Sequence, residues 1–152
     1  EGLLDGARAA VGAFLGAAPE TIAFVTNATV GVNAVLRSLE PSLEPGDELL
    51  TTSQAYNACA NALRYTAERT GATVVVADLP IPLASEDEAL ERIMGAATAR
   101  TQLALIDPVT SPTAAVLPIE GILRALDERG IDTLVDGAHA PAMLDLSLDP
   151  LA

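Results

Sequence analysis

The chain has 152 residues, of which 50% are hydrophobic and only 3% aromatic, and its formal net charge is −13. This length can bury a core, which must consist of Ala, Val, Leu and Ile side chains. The acidic balance argues against nucleic acid and anionic membranes as partners, because both require a basic surface, and no apolar run is long enough to span a bilayer. A single cysteine excludes an internal disulfide and a Cys-rich zinc site, so we expect a reducing, cytoplasmic location.

Helix-like and strand-like spacings of the apolar residues alternate along the whole chain. Strands are predicted at residues 21–26, 48–52, 72–79, 101–106 and 133–136, and helices begin near residues 2, 27, 58, 85 and 118. Val74, Val75 and Val76 are expected at the buried centre of the third strand. This alternation predicts a doubly wound α/β domain with a mainly parallel sheet between two helical layers, a three-layer α/β/α arrangement.

Residues 26–29 (Thr-Asn-Ala-Thr) join the first predicted strand to the second predicted helix. A helix N-terminus leaves several backbone N–H groups without partners and adds the positive end of the helix dipole, which together make an anion site. Thr26, Asn27 and Thr29 add side-chain donors. The alternative is that Asn27 merely caps the helix.

Polar or aromatic side chains follow three further predicted strands. Tyr56 follows the second strand, Thr110 and Ser111 follow the fourth, and Asp136 with His139 follow the fifth. The carboxyl ends of parallel strands share one edge of a sheet, so we expect these side chains to converge there. Each has a structural alternative: an aromatic packed against the next helix, a Ser/Thr/Pro turn without a ligand, and an Asp–Gly turn beside a structural His.

A carboxylate at this edge can hold a protonated ring nitrogen, and residues 26–29 can hold a phosphate; the two groups together describe pyridoxal phosphate (PLP). Three motifs, Thr26-Asn27-Ala28-Thr29, Thr110-Ser111-Pro112-Thr113 and Asp136-Gly137-Ala138-His139-Ala140-Pro141, resemble those of the class V aminotransferases of PLP fold type I, especially the isopenicillin N epimerase-like branch. The resemblance runs through most of the chain. It implies a parent enzyme that uses PLP and acts on an amino acid as epimerase, aminotransferase, lyase or desulfurase.

The resemblance implies that two residues of the last motif are catalytic. Asp136 would contact the pyridine nitrogen and keep it protonated. His139 would contact the phenolic oxygen of the cofactor and tune its proton. Ala138 between them is small enough for the ring to pack closely.

The remaining cofactor contacts are implied in the same way. Ala28 and Thr29 would bind the phosphate, and Tyr56 would stack on the ring. Ser111, with Thr110 as its rival, would donate a hydrogen bond to the phenolic oxygen. Relatives often have His-Glu-Tyr-Asn where this chain has Gln-Ala-Tyr-Asn at residues 54–57, so the polar surroundings of the ring differ.

All eight basic residues of the chain are arginines, so the chain contains no lysine. The family it resembles holds its cofactor through a Schiff-base lysine, some tens of residues beyond the Asp motif. We therefore expect residues 1–152 to be a partial PLP-binding large domain that lacks the Schiff-base lysine region and the small C-terminal domain, and to be inactive alone. The strand edges left open predict a partner, which would be a second copy in a homodimer or the complementing remainder of the protein.

Two other hypotheses remain. The first is a catalytically inactive fragment or subunit that keeps the fold as an interaction scaffold, which the missing lysine favours. The second is an unrelated α/β domain that binds a nucleotide or phosphosugar, although the chain lacks the GxGxxG and Walker A motifs. A desulfurase would need a mobile catalytic cysteine, and Cys59 on its predicted helix is better explained as a buried structural residue.

Overall fold

The computed structural model of the chain describes residues 2–145, 147 and 148. Its centre is a wholly parallel sheet in the order β2-β1-β3-β4, formed by β1 (Glu48–Thr52), β2 (Thr73–Ala77), β3 (Thr101–Ile106) and β4 (Asp132–Val135). The α-helices of the described residues are α1 (Gly2–Leu15), α2 (Ala28–Leu39), α3 (Asn57–Thr70), α4 (Glu86–Ala96) and α5 (Ile119–Asp127). Two short 3-10 helices cover Pro19–Thr21 and Glu40–Ser42. In this part of the chain no helix has the length and apolar character needed to cross a membrane.

The sheet lies between two helical layers, which confirms the predicted three-layer α/β/α arrangement. Successive side chains of a strand point to opposite faces, so Leu49 packs with α2 and α3, whereas Leu50 packs with α4 and α5. β3 alternates in the same way, with Leu105 on the first face and Ile106 on the second. Both clusters of buried residues are aliphatic apart from Cys59, as the low aromatic content requires.

The chain reverses its direction across the sheet between β1 and β3. α3 leads from β1 outward to β2, α4 leads back past β1 to β3, and α5 leads onward to β4. The connections therefore diverge from β1 and β3, whose carboxyl ends frame a crevice. This crevice is the switch point at which open α/β sheets bind their ligands.

The first predicted strand, at residues 21–26, is wrong for this structure. A 3-10 helix ends at Thr21, and the extended residues that follow pair with no described strand. Phe24 and Val25 are consequently 48% and 53% exposed. Their apolar pattern suits a strand, but a strand forms only where a neighbour pairs with its N–H and C=O groups, and no such neighbour lies among the described residues.

The expected burial of the valines in β2 is also wrong. Val74 and Val75 are only half-buried, and Val76 is 47% exposed. Among the described strands β2 pairs with β1 alone, so it forms an edge of the sheet and one of its flanks faces solvent. An apolar run does not reveal whether its strand lies at the centre or at the edge of a sheet.

Helix ends follow the sequence signals closely. Ser85 Oγ accepts a hydrogen bond from the Glu88 N–H at 3.1 Å, as a capping box requires. The Glu88 carboxylate, however, accepts from the Ala84 N–H at 2.8 Å rather than from the N–H of Ser85. Gly71 ends α3 in the left-handed conformation at φ +78°, which favours glycine.

Candidate functional site

Two carboxylates lie side by side at the carboxyl edge of the sheet. Ile106 and Val135 are paired in register at the ends of β3 and β4, and Asp107 and Asp136 follow them directly. The Asp136 N–H donates to the Ile106 carbonyl at 2.9 Å, so the pairing continues beyond the strands. Both aspartates are buried, with 3% exposure for Asp107 and 6% for Asp136. Neither carboxylate forms an ion pair within the described residues. Because burying such a charge is costly, this pair marks the edge as a functional candidate.

Asp136 is held by donors from two elements. The Cys59 thiol, in the first turn of α3, donates to Asp136 Oδ2 at 3.0 Å. The backbone N–H of Ala138 donates to Oδ1 at 3.2 Å. Burial, and then the hydrogen bond to the Asp136 carboxylate, raise the pKa of the Cys59 thiol to about 12. Cys59 is therefore a neutral donor at physiological pH, buried in the helix as the sequence predicts.

Asp107 is tied to the start of α3. The Tyr56 N–H donates to Asp107 Oδ2 at 3.0 Å, while Oδ1 is buried and has no partner among the described residues. Burial raises the pKa of Asp107 to about 6, against the opposing effect of the Tyr56 N–H. This value of the pKa also includes the charge of Asp136, which raises it, and His139, which lowers it. Asp107 thus titrates close to neutral pH at the switch point of the sheet.

The N-terminus of α2 keeps two backbone donors available. Asn27 caps the helix, because its Oδ1 accepts the Val30 N–H at 2.9 Å and its carbonyl accepts the Gly31 N–H at 3.1 Å. The preceding N–H groups, those of Ala28 and Thr29, have no acceptor among the described residues. The capping and the anion-site interpretations are therefore compatible.

The anion site is connected to the carboxylates. The Thr29 side chain lies near the Cys59 thiol and lowers its pKa, opposing the larger effect of burial. Cys59 in turn donates to Asp136. Although residues 26–29 follow no strand in this structure, the N-terminus of α2 reaches the edge at which β3 and β4 end.

The loop after β3 separates the roles of its two candidate hydroxyls. Thr110 is buried, shares a hydrogen bond with Thr113 at 2.8 Å between their hydroxyl oxygens, and accepts the Ala115 N–H at 2.9 Å. Thr113 donates to Gln54 Oε1 at 3.2 Å and so joins this loop to the one after β1. The half-buried Ser111 hydroxyl has no hydrogen bond within the described part of the chain. Thr110 therefore holds the loop, and Ser111 is the hydroxyl available to a ligand.

Tyr56 and His139 lie at the rim of the same edge. Tyr56 is 45% exposed, so its ring is open to contact on at least one side. His139 is exposed, yet its charge reaches Asp107 strongly enough to lower the pKa of that carboxyl. The described residues contain no group of three or more His, Cys, Asp or Glu side chains arranged to hold a metal ion.

The sequence did not single out Asp107, although it ends an apolar strand in the same way as Asp136. The contact between Cys59 and Asp136 has no local signal, because the two residues are 77 positions apart.

A cavity that the sequence did not predict lies behind the Asp136 loop, between α5, β4 and the segment after α1. Its volume is about 570 Å³. Its walls include Ile22, Pro108, Leu123 and Val135, and no titratable side chain lines it. The cavity offers apolar contact and no acid–base group.

The chain resembles known proteins along most of its length. The sequence model described as Aminotransferase class-V matches residues 2–149. Isopenicillin N epimerase of Amycolatopsis lactamdurans is 39% identical over 150 residues, which are 98% of this chain and 38% of that protein. Probable L-cysteine desulfhydrase of Arabidopsis thaliana, a chloroplastic protein, is 30% identical over 141 residues, which are 85% of this chain and 30% of that protein.

Solved structures share the fold. The cystine C-S lyase C-DES, in complex with its reaction product cysteine persulfide, matches with a TM-score of 0.89 at 24% identity, over 98% of this chain and 39% of that one. The cysteine desulfurase CsdA from Escherichia coli matches with a TM-score of 0.85 at 24% identity, over 97% of this chain and 37% of that one. The chain therefore spans 30–39% of the length of these four proteins.

Proposed function

This chain belongs to the class V aminotransferase family, whose cofactor is pyridoxal phosphate, and from that premise we propose that it is the cofactor-binding part of an enzyme that transforms an amino acid. The observation that carries the proposal is Asp136, a buried carboxylate fixed at the carboxyl edge of β4 by two donors. We assign it to the pyridine nitrogen. For the reaction we propose epimerisation, transamination or lyase chemistry on an amino acid; the 39% identical relative, isopenicillin N epimerase, supports the first of these.

The residues present fit the chemical groups of the cofactor. A phosphate dianion requires N–H and O–H donors with positive potential, and α2 offers the N–H groups of Ala28 and Thr29, the Thr29 hydroxyl and its dipole. A planar ring requires an open aromatic face, which Tyr56 offers. A phenolic oxygen requires donors, for which Ser111 and His139 are available at the rim.

When bound, PLP supplies an electron sink for the negative charge that develops at the substrate Cα. The contribution of Asp136 is to keep a proton on the ring nitrogen. Its carboxylate acts from a buried position, where a charge interacts more strongly than it would in water. Cys59 and Ala138 hold both carboxylate oxygens in place, so the acceptor needs no reorganisation during the reaction.

The remaining residues of the site bind and orient. When the cofactor is bound, Ser111 and His139 would donate hydrogen bonds to its phenolic oxygen, and Tyr56 would cover one face of the ring and exclude water from it. The amine that the family uses to hold its cofactor must come from outside these 152 residues, because all eight basic side chains are arginines. We therefore propose that the complete activity belongs to a larger protein or assembly. We further propose a cytoplasmic location and a homodimer as the simplest form.

The alternative is an inactive subunit that keeps the fold as an interaction scaffold. Two observations favour it: the chain has no lysine, and α1 presents apolar side chains to solvent, with Leu3 92%, Leu4 58% and Phe14 62% exposed. A scaffold would keep the fold without a need for the cofactor. Ligand binding therefore distinguishes the two proposals.

The test is equilibrium dialysis of the chain against 4-deoxypyridoxine 5′-phosphate, which keeps the phosphate, the ring nitrogen and the phenolic oxygen but cannot bond to an amine. The cofactor proposal expects one bound ligand per chain, displaced by PLP and weakened at least tenfold by Asp136→Ala. The matched control is Asp127→Asn at an exposed side chain outside the site, which should bind like the unmodified chain. Absence of saturable binding would reject the cofactor proposal and favour the scaffold.

A further inference from the structure

Asp107 is a buried carboxyl whose two oxygens are in unequal situations. Oδ2 accepts the Tyr56 N–H at 3.0 Å, and Oδ1 is enclosed without a partner in the described part of the chain. A buried acceptor that lacks a donor destabilises the fold, typically by about 1–3 kcal/mol. An apolar residue of similar size at the end of β3 would avoid this cost. The carboxyl is therefore better explained by what its one hydrogen bond does.

That hydrogen bond links the two elements that frame the switch point. Asp107 follows β3, and Tyr56 precedes α3 after β1, 51 positions away in the sequence. Tyr56 is the N-cap residue of α3, and its side chain makes no capping hydrogen bond. Its carbonyl accepts the Ala60 N–H at 2.9 Å within the first turn of the helix. Asp107 thus supplies the contact that holds the N–H side of this residue.

The charged surroundings of Asp107 come from two neighbouring elements. The loop after β4 contributes the carboxylate of Asp136 and the imidazole of His139, which act in opposite directions on the pKa of Asp107. α3 contributes the Cys59 thiol, whose pKa of about 12 leaves it neutral across the physiological range. The pKa of Asp107, about 6, therefore depends on burial, on the hydrogen bond from the Tyr56 N–H, and on the charges of Asp136 and His139.

We propose that Asp107 is a positioning residue: its carboxylate fixes the backbone at Tyr56, and with it the aromatic ring, and this hold loosens when the carboxylate gains a proton. An ionised acceptor makes a hydrogen bond roughly twice as strong as a neutral one, which gives the loosening its physical cause. One part of this inference rests on the proposed function, namely that the Tyr56 ring contacts the cofactor. The link between Asp107 and Tyr56 stands on the structure alone.

The link is tested by following the Tyr56 backbone amide by ¹H–¹⁵N NMR from pH 4.5 to pH 8. We expect its proton resonance to move with a midpoint near pH 6, the pKa of Asp107, and to become insensitive to this range in Asp107→Asn. The Asn side chain keeps an acceptor but does not titrate. A Tyr56 amide that does not titrate, or that still titrates in Asp107→Asn, would overturn the proposal.

The consequence for the ring is tested by the affinity for 4-deoxypyridoxine 5′-phosphate at pH 8. Asp107→Ala should weaken binding about tenfold, and Asp107→Asn should stay within about threefold of the unmodified chain. In a Tyr56→Ala background Asp107→Ala should have no further effect, because the two residues would act through one contact. An equal loss in both backgrounds would refute positioning through Tyr56. If the unmodified chain binds no ligand, the proposed function fails, while the amide titration still decides whether Asp107 holds Tyr56.

Discussion

Replacing Asp107 by Asn should make the chain more stable at high pH and change little at low pH. Burial raises the pKa of this carboxyl from 3.8 to about 6, so the folded state binds the proton more tightly than the unfolded state. Between these values the unfolded chain ionises while the folded chain keeps its proton, and stability falls as pH rises. Above pH 6 both states are ionised and the whole cost of burying the charge is present. Asn removes this cost and keeps an acceptor for the Tyr56 N–H.

The size of this effect follows from the part of the window that an experiment can cover. Measurements can cover pH 4.5 to pH 8, and the pKa of Asp107 in the folded state lies about 1.5 pH units above the lower limit. Each unit is equivalent to about 1.4 kcal/mol in the free energy of unfolding. We therefore expect the gain of Asp107→Asn over the unmodified chain to grow by about 1–2 kcal/mol across this range.

The assay is urea unfolding of both chains at several pH values. Taking the difference between the two chains cancels the titration of all other carboxyls. Asp127→Asn, at an exposed side chain, is the control and should show a difference that does not vary with pH. A difference for Asp107→Asn that stays flat, or that shrinks as pH rises, would refute the account of this residue.

Three further predictions concern Glu48, Asn27 and Cys59. Glu48, at the opposite end of β1, accepts from Thr98, Arg100 and Thr101, so Glu48→Ala should lower the free energy of unfolding by about 1–3 kcal/mol at pH 7 in urea titrations. Hydrogen bonds from Thr98 above all lower the pKa of Glu48, so this contribution should be present above pH 4.5 and be lost as pH falls below it. Asn27→Ala should lower stability by about 1 kcal/mol through the lost cap, whereas Asn27→Asp, measured in the same way, should keep it. Iodoacetamide should alkylate Cys59, the chain's one thiol, orders of magnitude more slowly than a free thiol at pH 8, because burial and Asp136 keep the thiol protonated. The rate is measured by mass spectrometry. Rapid labelling of the folded chain would count against this environment of Cys59.

Local signals were sufficient for most of the fold. The alternation of apolar patterns specified β1, β3 and β4 within one or two residues, and the parallel sheet followed from the helices between them. Local sequence signals failed where strand formation or burial depends on neighbours in space. Residues 21–26 have strand-like composition but no described partner, and Val76 is exposed because β2 lies at an edge. Pairing and position in a sheet are tertiary properties that a single segment does not encode.

The candidate site could be predicted as a set of loops but not as a network. The sequence named Asp136, Tyr56 and Thr29 because each follows a strand or opens a helix, and the structure brings their segments to one edge. It gave no sign that Cys59 donates to Asp136, since that contact depends on how α3 packs across the sheet end. Asp107 was within reach of the same reasoning that selected Asp136, since both follow apolar strands. The choice between Ser111 and Thr110 required the hydrogen bonds of Thr110, which only the folded loop displays.

Whether Asp136 holds a proton on the cofactor's ring nitrogen is tested most directly by ¹⁵N NMR of bound 4-deoxypyridoxine 5′-phosphate labelled at that nitrogen. We expect a protonated nitrogen at pH 8 in the unmodified chain and a deprotonated one in Asp136→Asn. Asp127→Asn should match the unmodified chain. A ring nitrogen that is deprotonated in the unmodified chain, or equally protonated with Asn at position 136, would contradict the assignment.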